Sequence, residues 1–412
     1  MSAFLQIFLG ILTAMGGFVE VGELVFSVGA GAKFGYSLLW VVALGTLGII
    51  LFGEMAGRVA AVTKQPIFDW VRERAGFRMG LGTLLAANLV SLLTCAAEIG
   101  GISIVLRMMS GWPYRLLAIL TFLALLAIVW FFAFKWIERF FGLLGLLMTV
   151  FVIAAIRLHP DWHAVGAGFV PQVPTLESPK DYLVYAYFAV SLLSSIMLPY
   201  ETYFYASGAI EDGWQPHEVP MNRIVVTMGF VLGSALAVGL VIVGGQLLKP
   251  LGIDPQWPGA AALGPAFTMG RAGLIVALLG MLFAFGGAAV ENALTGAYNT
   301  AQFLGWPWGK WRKPAGAPRF ALAWIVMLTL AVLIILAGVN PIQVVEYSIV
   351  FSVLILPLTY LPLLMAAGDR RIMGAYVNNG PTKIAGWFFL ALVTLAGLFA
   401  LPLLVVTRGG KL

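Results

Sequence analysis

Ser194-Ser195-Ile196-Met197-Leu198-Pro199-Tyr200-Glu201 lies at the centre of an apolar run covering residues 182–209. A proline inside a helix removes a backbone hydrogen bond and clashes with the preceding turn, so this stretch predicts a helix broken near Leu198. An earlier run, residues 3–31, carries Gly16-Gly17-Phe18-Val19-Glu20-Val21-Gly22-Glu23 at its centre. Its glycines lower helix stability, and its two carboxylates sit among apolar neighbours. Unwound backbone at membrane depth is tolerated only where it is buried in protein or lines a cavity. Two such breaks, each with a glutamate, predict one polar interior site.

The rest of the chain makes the bilayer its solvent. It is 61% hydrophobic and 10% charged over 412 residues, with a mean hydropathy of +0.97. Soluble domains carry about 25% charged residues. The expected fold class is therefore an all-α polytopic membrane protein. Apolar runs of about 20 residues give eleven spans: 3–31, 38–61, 79–106, 115–133, 140–156, 182–209, 222–247, 272–303, 320–338, 342–366 and 383–406. The loops facing the N-terminal side and the span ends beside them hold 15 lysines and arginines, against 9 on the other side. The positive-inside rule then places the N-terminus in the cytoplasm and the C-terminus outside, as expected of a bacterial inner-membrane protein. The net charge of +6 follows from that topology and implies the lipid bilayer, not a nucleic acid, as partner. The single Cys95 cannot form an internal disulfide. The start of the chain lacks the basic n-region of a cleavable signal.

Loops are short, so residues 1–412 read as one membrane transport domain. Spans 1 and 6, the broken pair, are five apart. In transporters built from inverted repeats the discontinuous helices flank the substrate near the midplane. This spacing predicts a first five-helix repeat over 1–156, a second over 182–366, and an additional helix 11 over 383–406. Five glutamates, Glu20, Glu23, Glu98, Glu201 and Glu291, interrupt the spans, with no lysine or arginine in the same spans to neutralise them. An ionisable group in a bilayer marks by default an ion or proton pathway.

Four further stretches carry a family likeness. They are Ala30-Gly31-Ala32-Lys33-Phe34-Gly35-Tyr36-Ser37-Leu38-Leu39-Trp40, Phe68-Asp69-Trp70-Val71-Arg72-Glu73-Arg74, Thr295-Gly296-Ala297-Tyr298 and Asp369-Arg370-Arg371-Ile372-Met373-Gly374-Ala375-Tyr376-Val377-Asn378. In this order and with this span count, the chain resembles the Nramp family of divalent metal transporters nearly end to end. The resemblance implies a LeuT-like fold with discontinuous helices 1 and 6, and a divalent cation as substrate with no cofactor.

The same resemblance assigns site residues, with departures. Where the family has Asp-Pro-Gly-Asn in span 1, this chain has Glu20-Val21-Gly22-Glu23. The family's Ala-x-x-Met-Pro-His in span 6 is matched by Ser195-Ile196-Met197-Leu198-Pro199-Tyr200, so the methionine ligand becomes Leu198 and the histidine Tyr200. A one-residue slip that presents the Met197 sulfur stays open. The implied metal ligands are Glu20, Glu23, Ser195 and Glu201, with Gly22, Leu198, Pro199, Tyr200, Glu98, Cys95 and Glu291 along the substrate pathway. In span 3 the family's acidic pair is matched by Cys95 and Glu98, so one acid of its proton route is lost. The second span 6 histidine becomes Tyr205, and the three histidines of the chain, His159, His163 and His217, all fall outside the spans.

These changes have a chemical direction. Thioether sulfur suits soft metals, whereas carboxylate, carbonyl and water suit Mg²⁺, Ca²⁺ and Mn²⁺. The expected function is a secondary transporter for hard divalent cations, without the family's usual proton coupling. Two other readings stay open: a carrier for an organic cation or other small solute on the same scaffold, and a non-transporting receptor. An enzyme is not expected, since neither His-Glu-x-x-His nor Gly-x-Ser-x-Gly occurs. Glu54 and Glu346, near span ends, are expected to reach interfacial water. Composition leaves the oligomeric state open.

Overall fold

The structure is a computed structural model that describes residues 19–255 and 257–411. Among these residues all regular structure is helical. Among the described residues ten helices are long and apolar enough to cross a membrane, from Leu39–Thr63 to Gly380–Thr407. They coincide with the expected spans 2 to 11. The first half of span 1, including Gly16, Gly17 and Phe18, lies outside the described residues, and its second half is the helix Val21–Phe34.

Local sequence explains where the helices start and stop. Span 3 enters the bundle at Gly76, whose φ of 73° separates it from the lead-in that begins at Ile67. It ends at Gly111, also at φ 73°, the left-handed cap that glycine adopts without a Cβ penalty. Span 8 begins earlier than expected, as Leu263–Leu304 bent at Gly270. Span 6 opens with a capping box, in which Ser178 accepts from Lys180 N and Asp181 accepts from Ser178 N. Pro179 follows at the first helical position, where a missing N–H is no loss.

The predicted break in span 6 is present. Its first half, Pro179–Ile196, ends at Met197 (φ −99°, ψ 63°), and Leu198 is extended. Pro199 then opens the second half, Pro199–Glu211. Thus the proline that forbids a continuous helix also suits the start of the next one.

Charged side chains at the span ends are more enclosed than expected. Glu54 does not simply face interfacial water: it pairs with Arg58 (2.9 Å) and Arg223 (3.1 Å), while Arg58, buried, also donates to Tyr376 O and to Asn378 Oδ1 (2.7 Å). Glu346 pairs with Lys411 at 3.5 Å. The two corrections have different causes: Arg58 sits one turn along Glu54's own helix and Arg223 at the start of the span 7 helix, whereas Lys411 reaches Glu346 from the turn after span 11. Elsewhere the core is apolar and aromatic, as where Phe52 of span 2 stacks on Tyr360 of span 10 with centroids 3.7 Å apart.

Candidate functional site: a carboxylate cluster between two helix breaks

The second half of span 1 starts where the sequence places its glutamates. Glu20 is extended (φ −117°, ψ 169°) and Val21 is the first helical residue. The first backbone amides of a helix have no partner within it and carry the positive end of its dipole. Here the Val21 N–H donates to Glu98 Oε1 at 2.9 Å. Glu98 comes from the middle of span 3, so a carboxylate from one span fixes the starting point of another. Gly22 follows because nothing larger fits: a Cβ there would stand 2.6 Å from Ile349 Cδ1 and 2.9 Å from Glu20 Oε1.

Glu20, Glu23, Glu98 and Glu201 are all buried, none more than 5% exposed. The charge on Glu20 acts on Glu23, Glu98 and Glu201, and that on Glu201 acts on Glu23 and Glu291. The four form one cluster bounded by both helix breaks and span 3. Among the described residues, Glu20 Oε2, both oxygens of Glu23, Glu98 Oε2 and Glu201 Oε1 have no hydrogen-bond partner. Among the described residues no ion pair engages any of them. An unpaired buried charge is penalised by several kcal/mol. Such a cluster is tenable only when protons or a cation supply positive charge.

The remaining expected site residues divide into those at the breaks and those behind them. Pro199 and Leu198 form the break itself, and Tyr200 is buried within electrostatic reach of Glu20, Glu98, Glu201 and Glu291. The Ser195 hydroxyl donates to Leu192 O at 3.0 Å within its own helix, leaving its lone pairs as possible ligands. Cys95 is buried on span 3, with Sγ directed to Ala289 O of span 8 at 3.7 Å. Glu291 is half-buried and stands apart from the four: it feels the charge of Glu201, but also those of Glu138 and of Lys310 in the 302–319 loop. The Met197 sulfur does not take the place vacated at Leu198. Its Sδ and Cε pack against Gly48 of span 2, with Sδ 2.6 Å from where a Cβ on that glycine would stand.

Among the described residues, no three carboxylate, thiol or imidazole side chains converge closely enough to enclose a metal ion by themselves. A cation placed here would need backbone carbonyls or water as further ligands. Carbonyls are at hand, because the last turn of a helix leaves four without intrahelical partners. At the span 6 break, Met197 O accepts a long 3.5 Å contact from Tyr360 OH.

The helix cap by Glu98 was not legible in the sequence, and it carries a prediction. Glu98→Gln keeps an oxygen acceptor for the Val21 N–H and should leave thermal stability close to that of the parent. Glu98→Leu orphans that amide and should lower stability by about 1–3 kcal/mol. Equal unfolding midpoints for the two variants would remove the capping role.

Comparison with known proteins agrees with this architecture. A family model described as "Natural resistance-associated macrophage protein-like" matches residues 10–401. The divalent metal cation transporter MntH of Latilactobacillus sakei is 25% identical over 406 residues, covering 95% of this chain and 87% of the relative. MntH of Deinococcus radiodurans is 23% identical, covering 91% and 85%. Among solved structures, a manganese transporter of Eremococcus coleocola superposes with a TM-score of 0.79 at 20% identity, covering 96% of this chain and 86% of that one. MhsT in complex with L-phenylalanine reaches a TM-score of 0.59 at 18% identity, with 98% of each chain covered. These last two likenesses concern the fold alone.

Proposed function

This chain belongs to the natural resistance-associated macrophage protein (Nramp) family, and from that premise we propose that it is a secondary transporter carrying divalent metal cations by alternating access. The cation is substrate and not cofactor. The observation that carries this reading is the group Glu20, Glu23, Glu98 and Glu201, buried around the two helix breaks and span 3 and, among the described residues, without ion-pair partners. The metal cargo named for the MntH relatives supplies the charge that such a cluster lacks.

Within the divalent cations we infer a preference for hard ions such as Mg²⁺ or Mn²⁺. Carboxylates and carbonyls favour them, and at the span 6 break neither Leu198 nor the packed Met197 offers a sulfur to a softer ion. Mg²⁺ in particular keeps several waters and uses one or two carboxylates, which suits ligands that do not close around a bare ion. Proton movement with the metal is inferred to be slight. Cys95 replaces one acid of span 3, and of the tyrosines at the span 6 histidine positions Tyr200 is buried and Tyr205 half-buried, with Tyr205 OH donating to Asn222 Oδ1. The orientation inferred from the basic loops, with the N-terminus in the cytoplasm of a bacterial cell, makes the 157–181 end of the bundle the outer one.

Uptake into vesicles reconstituted with the purified protein tests the function. Saturable Mn²⁺ uptake, inhibited competitively by excess Mg²⁺ and unaffected by organic cations of similar charge, is the expected result. Saturable uptake of an organic cation with no divalent-metal flux would transfer the chain to another substrate class. Binding without flux of any solute would make it a receptor.

A further inference from the structure

The residues after span 11 turn back onto the bundle. Gly409 N donates to Leu404 O at 3.0 Å, Lys411 N to Thr407 O at 2.9 Å, and Gly410 N to Thr407 Oγ1 at 3.1 Å. The turn takes Arg408, Gly409 and Gly410 through three successive left-handed conformations, with φ of 50°, 70° and 79°. Two of the three are glycines, the residue for which this conformation carries no steric penalty.

The turn touches two spans at once. Gly410 is buried, and a Cβ on it would stand 2.8 Å from Phe188 Cε2 and 3.3 Å from Tyr187 Cδ1 in span 6. A Cβ on Gly409 would stand 2.7 Å from Glu346 Oε2 in span 10, and Lys411 Nζ lies 3.5 Å from Glu346 Oε1. The span 6 residues it covers form the seam above the carboxylate cluster. Tyr187 and Phe188 pack edge-on against Phe26 of span 1 with centroids 6.0 and 5.9 Å apart, and Phe188 packs against Phe34 at 5.9 Å. At 1.5 Å per residue, Phe26 lies about 8 Å along its helix from the Val21 start, and Tyr187 about 14 Å from the Ile196 end. Both rings thus stand between the cluster and the outer end of the bundle.

We propose that residues 407–411 are a strap that holds the outer half of span 6 against span 10 and must detach before the carboxylate cluster opens outward. Opening on that side requires the aromatic seam to part, and the strap is fastened to its span 6 half. Lys411 is the releasable fastening, since its ion pair with Glu346 is partly solvent-exposed and the turn otherwise holds by packing. The inference rests on the reading of the chain as an alternating-access carrier.

The test reports conformation without metal flux, so its failure is distinguishable from failure of that reading. Ser191 is buried one turn inward of Tyr187 on the same face of span 6. A Ser191→Cys reporter in detergent-solubilised protein is treated with a membrane-impermeant thiol reagent, and the parent carrying Cys95 alone sets the background. Lys411→Glu opposes Glu346 with like charge, and Gly410→Val drives a side chain into Phe188. Each should raise the reporter's labelling rate at least about threefold by shifting the population outward, while Lys411→Arg should not. Lys411 is 44% exposed, so its substitution carries the test even should Gly410→Val fail to fold. A labelling rate in Lys411→Glu equal to that of the reporter parent would overturn the strap.

Discussion

Glu20→Gln and Glu23→Gln are each expected to reduce divalent-cation uptake at least about tenfold while leaving a folded protein. A tenfold loss corresponds to about 1.4 kcal/mol, which is no more than one charge-assisted interaction contributes, about 1.5–3 kcal/mol. The sign of the stability change is the discriminating feature. Without metal, the cluster must hold protons to limit repulsion between its carboxylates, whose oxygens are partly unpartnered among the described residues. Neutralising one relieves that repulsion, so the metal-free variants should melt at the parent's temperature or above it. In the parent, Mn²⁺ should raise the melting temperature, because a ligand that binds only the folded state stabilises it. That increment should shrink in both variants. Undiminished uptake in both would mark these glutamates as structural.

Leu198→Met is expected to strengthen Cd²⁺ binding about tenfold or more while changing Mg²⁺ affinity little. Leu198 is fully buried at the helix break, and thioether sulfur selectively favours soft ions. The unmutated protein should accordingly discriminate weakly in favour of Cd²⁺, since the Met197 sulfur is committed to the contact with span 2. Competition titrations of Cd²⁺ against Mg²⁺ on parent and variant check this. Tight Cd²⁺ binding by the parent, together with strong acidification of vesicles during inward metal flux, would return the chain to the pattern of its family.

Particular residues show what the sequence could and could not disclose. Pro199 disclosed the span 6 break because a proline cannot continue a helix, whatever surrounds it. The carboxylates pointed to a candidate site because several buried groups of one sign cannot neutralise one another. The ten described spans follow from hydropathy, which bilayer thickness converts directly into length. Other features depend on which elements meet, and spacing along a chain does not encode that. Glu98 caps Val21 across 77 positions of sequence. Glu54 meets Arg223 of span 7 across 169 positions, and Lys411 finds Glu346 only because the last turn folds back. Met197 and Leu198 are adjacent in sequence, and only packing against Gly48 decides where the sulfur points.

Anomalous diffraction from crystals of the protein grown with Mn²⁺ tests the central claim most directly, because it locates the ion without reference to activity. The account predicts one dominant manganese peak between the two helix breaks, with an oxygen of Glu20 or Glu23 at about 2.0–2.6 Å, as hard cations take. A dominant peak elsewhere in the bundle, or none in the cluster at saturating Mn²⁺, would contradict it.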